Sequence, residues 1–138
     1  MIPVKQTLFG GDFLNKETLG NCYPACIATI LGIPLDEVPH FFQLETDEIP
    51  VLDIILPWFH GRGLTSVNHK YESWIPKYYE GIIAIMGGKS PRGDWDHAVV
   101  GRITKEGWEL LHDPHPSNSG IVGEPTSIEF IHPLNYWN

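Results

Sequence analysis

Residues 22–31, from Cys22 through Tyr23, Pro24, Ala25, Cys26, Ile27, Ala28, Thr29 and Ile30 to Leu31, carry no charge and are apolar on nearly every side of a helix. A helix of that kind has no face to offer water and must be enclosed by other elements. Its limits are visible in the residues around it. Asn21 precedes it, Pro24 sits in the first turn, where its missing N–H has no intrahelical partner anyway, and Gly32 stands just past the end. The chain therefore has to be built around one central helix that begins at Cys22.

The elements available to enclose it change character along the chain. The first twenty residues read as an extended arm with a loop at Gly10-Gly11-Asp12. Pro34 to Pro39 reads as a short acidic helical turn leading into Phe41-Phe42, and residues 49–60 as a second helix that Pro57 is expected to kink or shorten. Leu64 to His69 is a short strand. After residue 79 the pattern turns to β-branched runs: a buried strand over 80–86 ended by Gly87-Gly88, a strand over 97–103, a turn at Thr104-Lys105-Glu106-Gly107, a third strand over 108–112 that stops at Asp113-Pro114, and a fourth over 127–131. Helices first and strands after are the pattern of an α+β domain. With no repeat, no low-complexity segment and no linker, residues 1–138 read as a single domain.

Seventeen Asp and Glu against nine Lys and Arg give a formal charge of −8. No window concentrates basic residues as phosphate binding requires, so nucleic acid is not an expected partner. Nor is a membrane. The longest apolar-rich stretch, 51–59, is interrupted by Asp53 and Pro57 and is about half of a span, and the first residues lack the apolar core of a signal peptide. Two cysteines four residues apart on one helix are badly oriented to bridge each other and too few for a structural zinc site. They read as reduced thiols of a cytoplasmic protein, with no metal and no cofactor expected.

Three residues then qualify for chemistry. Cys22 stands where unpaired backbone N–H groups and the helix dipole favour an anion; Cys26, one turn further in, reads as core filler. His97 begins a strand beside a loop, flanked by Asp94, Trp95 and Asp96, a place from which an imidazole can serve as a general base. Asp113 ends the strand that pairs with that of His97. The four-residue turn at 104–107 brings the two, sixteen positions apart in sequence, to the same open end of a hairpin, where a carboxylate could orient the imidazole and stabilise its cation. A thiol, a base and an orienting carboxylate form the constellation of covalent acyl transfer.

The segment Asn21-Cys22-Tyr23-Pro24-Ala25-Cys26 resembles the helix start of the bacteriocin-processing (double-glycine) peptidases and other papain-like cysteine peptidases. Asp96-His97-Ala98-Val99-Val100 resembles their histidine strand, and His112-Asp113-Pro114 their Asp-Pro after the next strand. The chain is also similar, over residues 6 to about 120, to a small papain-like family of phages and bacteria. The matching pieces are Gly20-Asn21-Cys22, the run from Leu31 to Pro39, Ser90-Pro91-Arg92-Gly93, and the run from His112 to Ser117. The resemblance implies a papain-like fold and a cysteine peptidase-like hydrolase acting on a peptide, isopeptide or other amide bond, with Cys22 as nucleophile, His97 as base, Asp113 as orienter and a protein or peptide as substrate. Such enzymes place a Gln before the nucleophile to help form the oxyanion hole. Gln6 is the only one upstream, sixteen residues away; the loop from Gly10 to Thr18 would have to absorb the excess, and Asn15 is its rival. Tyr23 stands where Gly is usual.

Other features carry less. Gly87-Gly88-Lys89-Ser90 lacks the first Gly of a phosphate loop, and Pro91 stands where its helix should begin. His112, Asp113 and His115 are suitable metal ligands by type, but Pro114 and Pro116 make the run too rigid for all three to converge. Trp74, Tyr78 and Tyr79 read as packing residues. Trp95, beside His97 in the polar loop 90–96, is the candidate for a substrate groove. Two further functions are compatible with the same residues: a catalytically inactive binding or inhibitory module, and an acyl or amide transferase.

Overall fold

The computed structural model describes residues 1–135 and shows an α+β arrangement, a five-stranded antiparallel sheet with an N-terminal helix packed on it. Helix α1 spans Cys22–Leu31 and ends in Gly32 at φ 68°, a left-handed conformation that glycine adopts without a Cβ penalty. A 3-10 turn at Leu35–Glu37 and the short helices α2 (Phe41–Leu44) and α3 (Leu52–His60) follow. Strand β1 (Leu64–Lys70) and the one-turn α4 (Ile75–Tyr78) precede strands β2 (Ile83–Lys89), β3 (Asp96–Thr104), β4 (Gly107–His112) and β5 (Val122–Pro133). The sheet order is β1-β5-β2-β3-β4.

The sheet separates two cores. Cys26, Ile27 and Ala28 of α1 meet Ile85 and Val100 of the sheet, with Phe41, Ile55 and Phe59 from α2 and α3 closing over them. On the other side Ala84, Met86, Val99, Ile103 and Ile128 pack with Tyr71 and Ile75. The alternation of Ala84 and Met86 against Ile85 is the two-residue period of a strand buried on both faces. Full burial of each large aliphatic side chain contributes about 1.5–3 kcal/mol. Thr29, wholly buried in α1, donates to the carbonyl of Ala25 at 2.8 Å and accepts the N–H of Val4 at 3.0 Å, which fastens the N-terminal arm along the helix.

The structure departs from the sequence expectations at several places. Strand β2 does not stop at Gly87-Gly88 but runs through both to Lys89, with Gly88 opposite His97. A Cβ at Gly87 would overlap Ser127 Oγ, so the glycines permit a close approach of β5 rather than end the strand. Strand β5 is longer than 127–131, entering through an irregular pairing of Val122 with Lys89. Pro57 does not shorten α3. Asp53 and Pro57 both lie on its exposed face, where solvent can serve the carbonyl that the proline leaves without a donor. Trp74, Tyr78 and Tyr79 are not packing residues of a core: they are 45%, 65% and 40% exposed and form a group of mutually tilted rings at the surface around α4.

Candidate active site

The start of α1 meets the open end of the β3–β4 hairpin at the floor of a cleft of about 840 Å³, lined among others by Gln6, Cys22, Trp95, His97 and His115. His97, at the second residue of β3, is 4% exposed, and its Nε2 lies 2.7 Å from Oδ1 of Asp113. Cys22 lines the same cleft, close enough for its side chain to act on the same imidazole. With Nε2 committed to the carboxylate, Nδ1 is the ring nitrogen left for the thiol. The hairpin register accounts for the meeting: Val100 pairs with His112, so His97 and Asp113 lie just beyond the last regular pairs.

Asp113 is held from three sides. Oδ1 also accepts the N–H of His115 at 2.9 Å, and Oδ2 accepts the N–H of Gly120 at 2.7 Å. Burial by itself raises its carboxyl, but these donors and the imidazole overcome that and bring it down to about 2. Burial likewise disfavours the His97 cation. The hydrogen bonds and charges of Asp113 and Cys22 outweigh it, and His97 rises to about 9. The rise favours the protonated ring, held beside the Asp113 carboxylate. Cys26 is wholly buried in the core, and its thiol is raised well above the usual range by burial first and then by the charges of Cys22, Asp113 and Glu129.

The N-terminal arm brings Gln6 to the same place. Gln6 is 6% exposed, lines the cleft beside Gly20, and donates from Nε2 to the carbonyl of Leu8 at 2.8 Å. A second amide N–H remains on Nε2, and Oε1 is buried without a partner among the described residues. The backbone N–H of Cys22 belongs to the first turn of α1 and has no intrahelical acceptor. The sixteen residues between Gln6 and Cys22 are taken up by an excursion whose ends are closed by mutual backbone bonds of Gly10 with Thr18 and of Gly20 with Gly10. Asn15 lies in that excursion, bonded to Asp12, and does not line the cleft.

Sequence reasoning missed what holds Gln6 there. Asn21 does not cap α1. Its Oδ1 accepts the N–H groups of Thr7 and Leu8, both at 2.9 Å, and its Nδ2 donates to Thr7 Oγ1 at 2.9 Å. Gln6 N–H donates to the carbonyl of Pro114 at 3.0 Å, and Lys5 Nζ donates to the carbonyl of Asp113 at 2.8 Å and to Asn118 Oδ1 at 2.6 Å. One arm thus connects the helix start with the Asp113 loop. An Asn before a helix signals a cap, so the type of residue was visible but its partners were not; Lys5 gave no signal.

Trp95 forms a wall of the cleft, packed so closely that a Cβ on either Gly11 or Gly93 would overlap its indole. The 90–96 loop is tied by Ser90 N–H to the carbonyl of Trp95 at 2.9 Å and by Arg92 Nη1 to Ser117 Oγ at 3.0 Å. His112 turns away, with Nε2 2.7 Å from the carbonyl of Val4, and His115 packs its ring edge-on to His97 and Phe9. Among the described residues no group of three or more His, Cys, Asp or Glu side chains converges as a metal site, and no single helix is long and apolar enough to cross a membrane. No family model, no curated protein and no solved structure matches this chain.

Proposed function

We propose that the protein is a papain-like cysteine hydrolase that cleaves a peptide, isopeptide or other amide bond through an acyl-enzyme. The observation that carries this is one imidazole, His97, bonded to a buried carboxylate at 2.7 Å and lying beside the thiol at the start of a helix, at the floor of an open cleft. His97 takes the Cys22 proton, or the two rest as a thiolate–imidazolium pair. Sγ attacks the substrate carbonyl, and the oxyanion is received by the Cys22 N–H and the free amide N–H of Gln6. The C–N bond breaks as His97 protonates the leaving amine, which leaves a thioester on Cys22. Water, deprotonated by His97, attacks the thioester and releases the carboxylic acid, and the thiolate–imidazolium pair is restored. Trp95 forms one wall of the substrate groove.

Alkylation by iodoacetamide against pH, followed by intact mass, tests the reading. One thiol that reacts rapidly below about pH 7 is expected, lost in Cys22→Ala and slowed in His97→Ala. Two slow thiols indifferent to His97 would defeat it and leave the fold as a scaffold without chemistry.

A further inference from the structure

The cleft runs past the reacting groups to a buried carboxylate that the proposed mechanism does not use. Glu129, on β5, is 6% exposed and lines the cleft together with Tyr23 and Asn68. Tyr23, the residue directly after the nucleophile and the one that departs from the Gly of the resembling peptidases, places its hydroxyl 2.9 and 2.7 Å from the two oxygens of Glu129. That hydroxyl has a single proton to give. Asn68 stands opposite Glu129 in the β1–β5 register and lines the same cleft.

A carboxylate has room for about four hydrogen bonds, and buried carboxylates ordinarily have a cation beside them. Glu129 has none. The ion pairs among the described residues are His97 with Asp113 and Arg102 with Glu109. Burial accordingly raises its carboxyl despite the Tyr23 hydroxyl. Val51, Leu52 and Ile55 from the start of α3 give the same cleft an aliphatic part, Leu52 being 55% exposed. Its charged lining residues Lys89, Arg92, Asp94 and Asp96 make no ion pair with Glu129. A passage with an aliphatic part and an unpaired carboxylate at its end suits an alkyl stem that carries a positive head.

Resting on the hydrolase reading, we propose that Glu129 forms the end of a specificity subsite that receives a lysine or arginine side chain of the substrate next to the scissile bond. The cationic head makes a charge-assisted hydrogen bond to Glu129 while its stem lies against Val51, Leu52 and Ile55, and Tyr23 holds the carboxylate at a fixed distance from Cys22.

Two measurements separate this subsite from the chemistry it serves. In the first, N-acetyl-lysine methylamide, its arginine counterpart and the neutral N-acetyl-norleucine methylamide are titrated into the wild-type protein, followed by amide chemical shifts of Asn68, Ser127 and Glu129. Binding of the two cations about tenfold or more tighter than norleucine, and loss of that preference in Glu129→Gln, is expected. Equal binding of all three, or no shift with any, overturns the subsite; the wild-type comparison decides this even if Glu129→Gln does not fold. In the second, peptidyl chloromethyl ketones ending in lysine or norleucine are compared for the rate at which they alkylate Cys22. A preference for lysine of about tenfold supports the subsite in its place beside the nucleophile. Cation binding at Glu129 with no alkylation of Cys22 by either ketone would leave the subsite standing and defeat the hydrolase reading instead.

Discussion

Asp113 and Glu129 are both buried carboxylates at the candidate site, one behind His97 and the other in the cleft wall past Tyr23, and the protein serves them in opposite ways. Asp113 receives an imidazolium and two backbone N–H groups and is lowered to about 2. Glu129 receives a tyrosine hydroxyl and, among the described residues, no cation, and is raised by its burial. The first end of the site is complete in the free protein. The second is complete only when something positive enters. Fixed donors around Asp113 remove any need for reorganisation when charge moves on His97, whereas an unsatisfied charge costs stability and is retained where it is used for binding.

Substitution of each carboxylate by its amide breaks the comparison most sharply. In Asp113→Asn, whichever way the amide is turned, its NH2 faces a donor, either His97 Nε2 or Gly120 N–H. Hydrolysis of p-nitrophenyl acetate is expected to fall by about 10³–10⁴-fold, the order seen when an orienting carboxylate becomes an amide. The fold should lose about 2–4 kcal/mol, because an imidazole and backbone donors are left buried without their acceptor. Glu129→Gln should instead raise the melting temperature at neutral pH, since a costly buried charge is removed while Tyr23 keeps an acceptor. Equal destabilisation by both amides in thermal unfolding would show that the two ends are not different in kind.

The same contrast predicts opposite responses to pH. The His97–Asp113 pair stabilises the fold fully from just above the ordinary carboxylate value of 3.8 to just below the ordinary imidazole value of 6.5. From the carboxylate side its contribution disappears as pH falls through about 2, and from the imidazole side as pH rises through about 9. Glu129, raised from 4.5, binds its proton more tightly folded than unfolded, so its ionisation lowers stability as pH climbs above that value. Urea unfolding from pH 3 to 10 should therefore show a wild-type advantage over Asp113→Asn that is largest, about 2–3 kcal/mol, near pH 5–6 and shrinks as pH rises through about 9 to the part carried by the His115 and Gly120 N–H bonds. Over Glu129→Gln the wild type should lose ground as pH rises from 4.5 through the raised folded titration and level off above it. A constant offset across the range in either comparison would mean that the variant acts through packing and not through charge.

Much of the site was legible because its parts are fixed by local rules. An uncharged helix that starts at Cys22 can lie only inside the molecule, and a four-residue turn at 104–107 leaves His97 and Asp113 at one end of a hairpin whatever the rest of the chain does. What stayed hidden depends on contacts across the fold. Glu129, in the strand over 127–131, gave no signal of its own; it is buried because β5 lies between β1 and β2 with Tyr23 of α1 reaching down to it. Gly87-Gly88 reads as a strand end for want of knowledge that Ser127 presses on it. Trp74, Tyr78 and Tyr79 read as core because large aromatics usually are, yet α4 is a single turn at the surface and cannot cover them. The distance from Gln6 to Cys22 looked excessive until backbone bonds among Gly10, Thr18 and Gly20 closed the intervening excursion on itself.

Asn21 offers the smallest effect and the most specific one. Its side chain makes three hydrogen bonds to Thr7 and Leu8, directly after Gln6, and it does not touch the thiol–imidazole pair. It is a positioning residue: its removal should loosen the amide of Gln6 while His97 and Asp113 stay where they are. Asn21→Ala is expected to lower kcat on p-nitrophenyl acetate about tenfold with little change in KM, because the oxyanion contact is made in the transition state and not in the ground state. In a Gln6→Ala background the same substitution should cost nothing further, since there is no longer an amide to position. The rate of iodoacetamide alkylation, which passes through no oxyanion, should be unchanged. Additive losses in the double variant, or slowed alkylation in Asn21→Ala alone, would instead assign Asn21 to the support of α1 and Cys22 themselves.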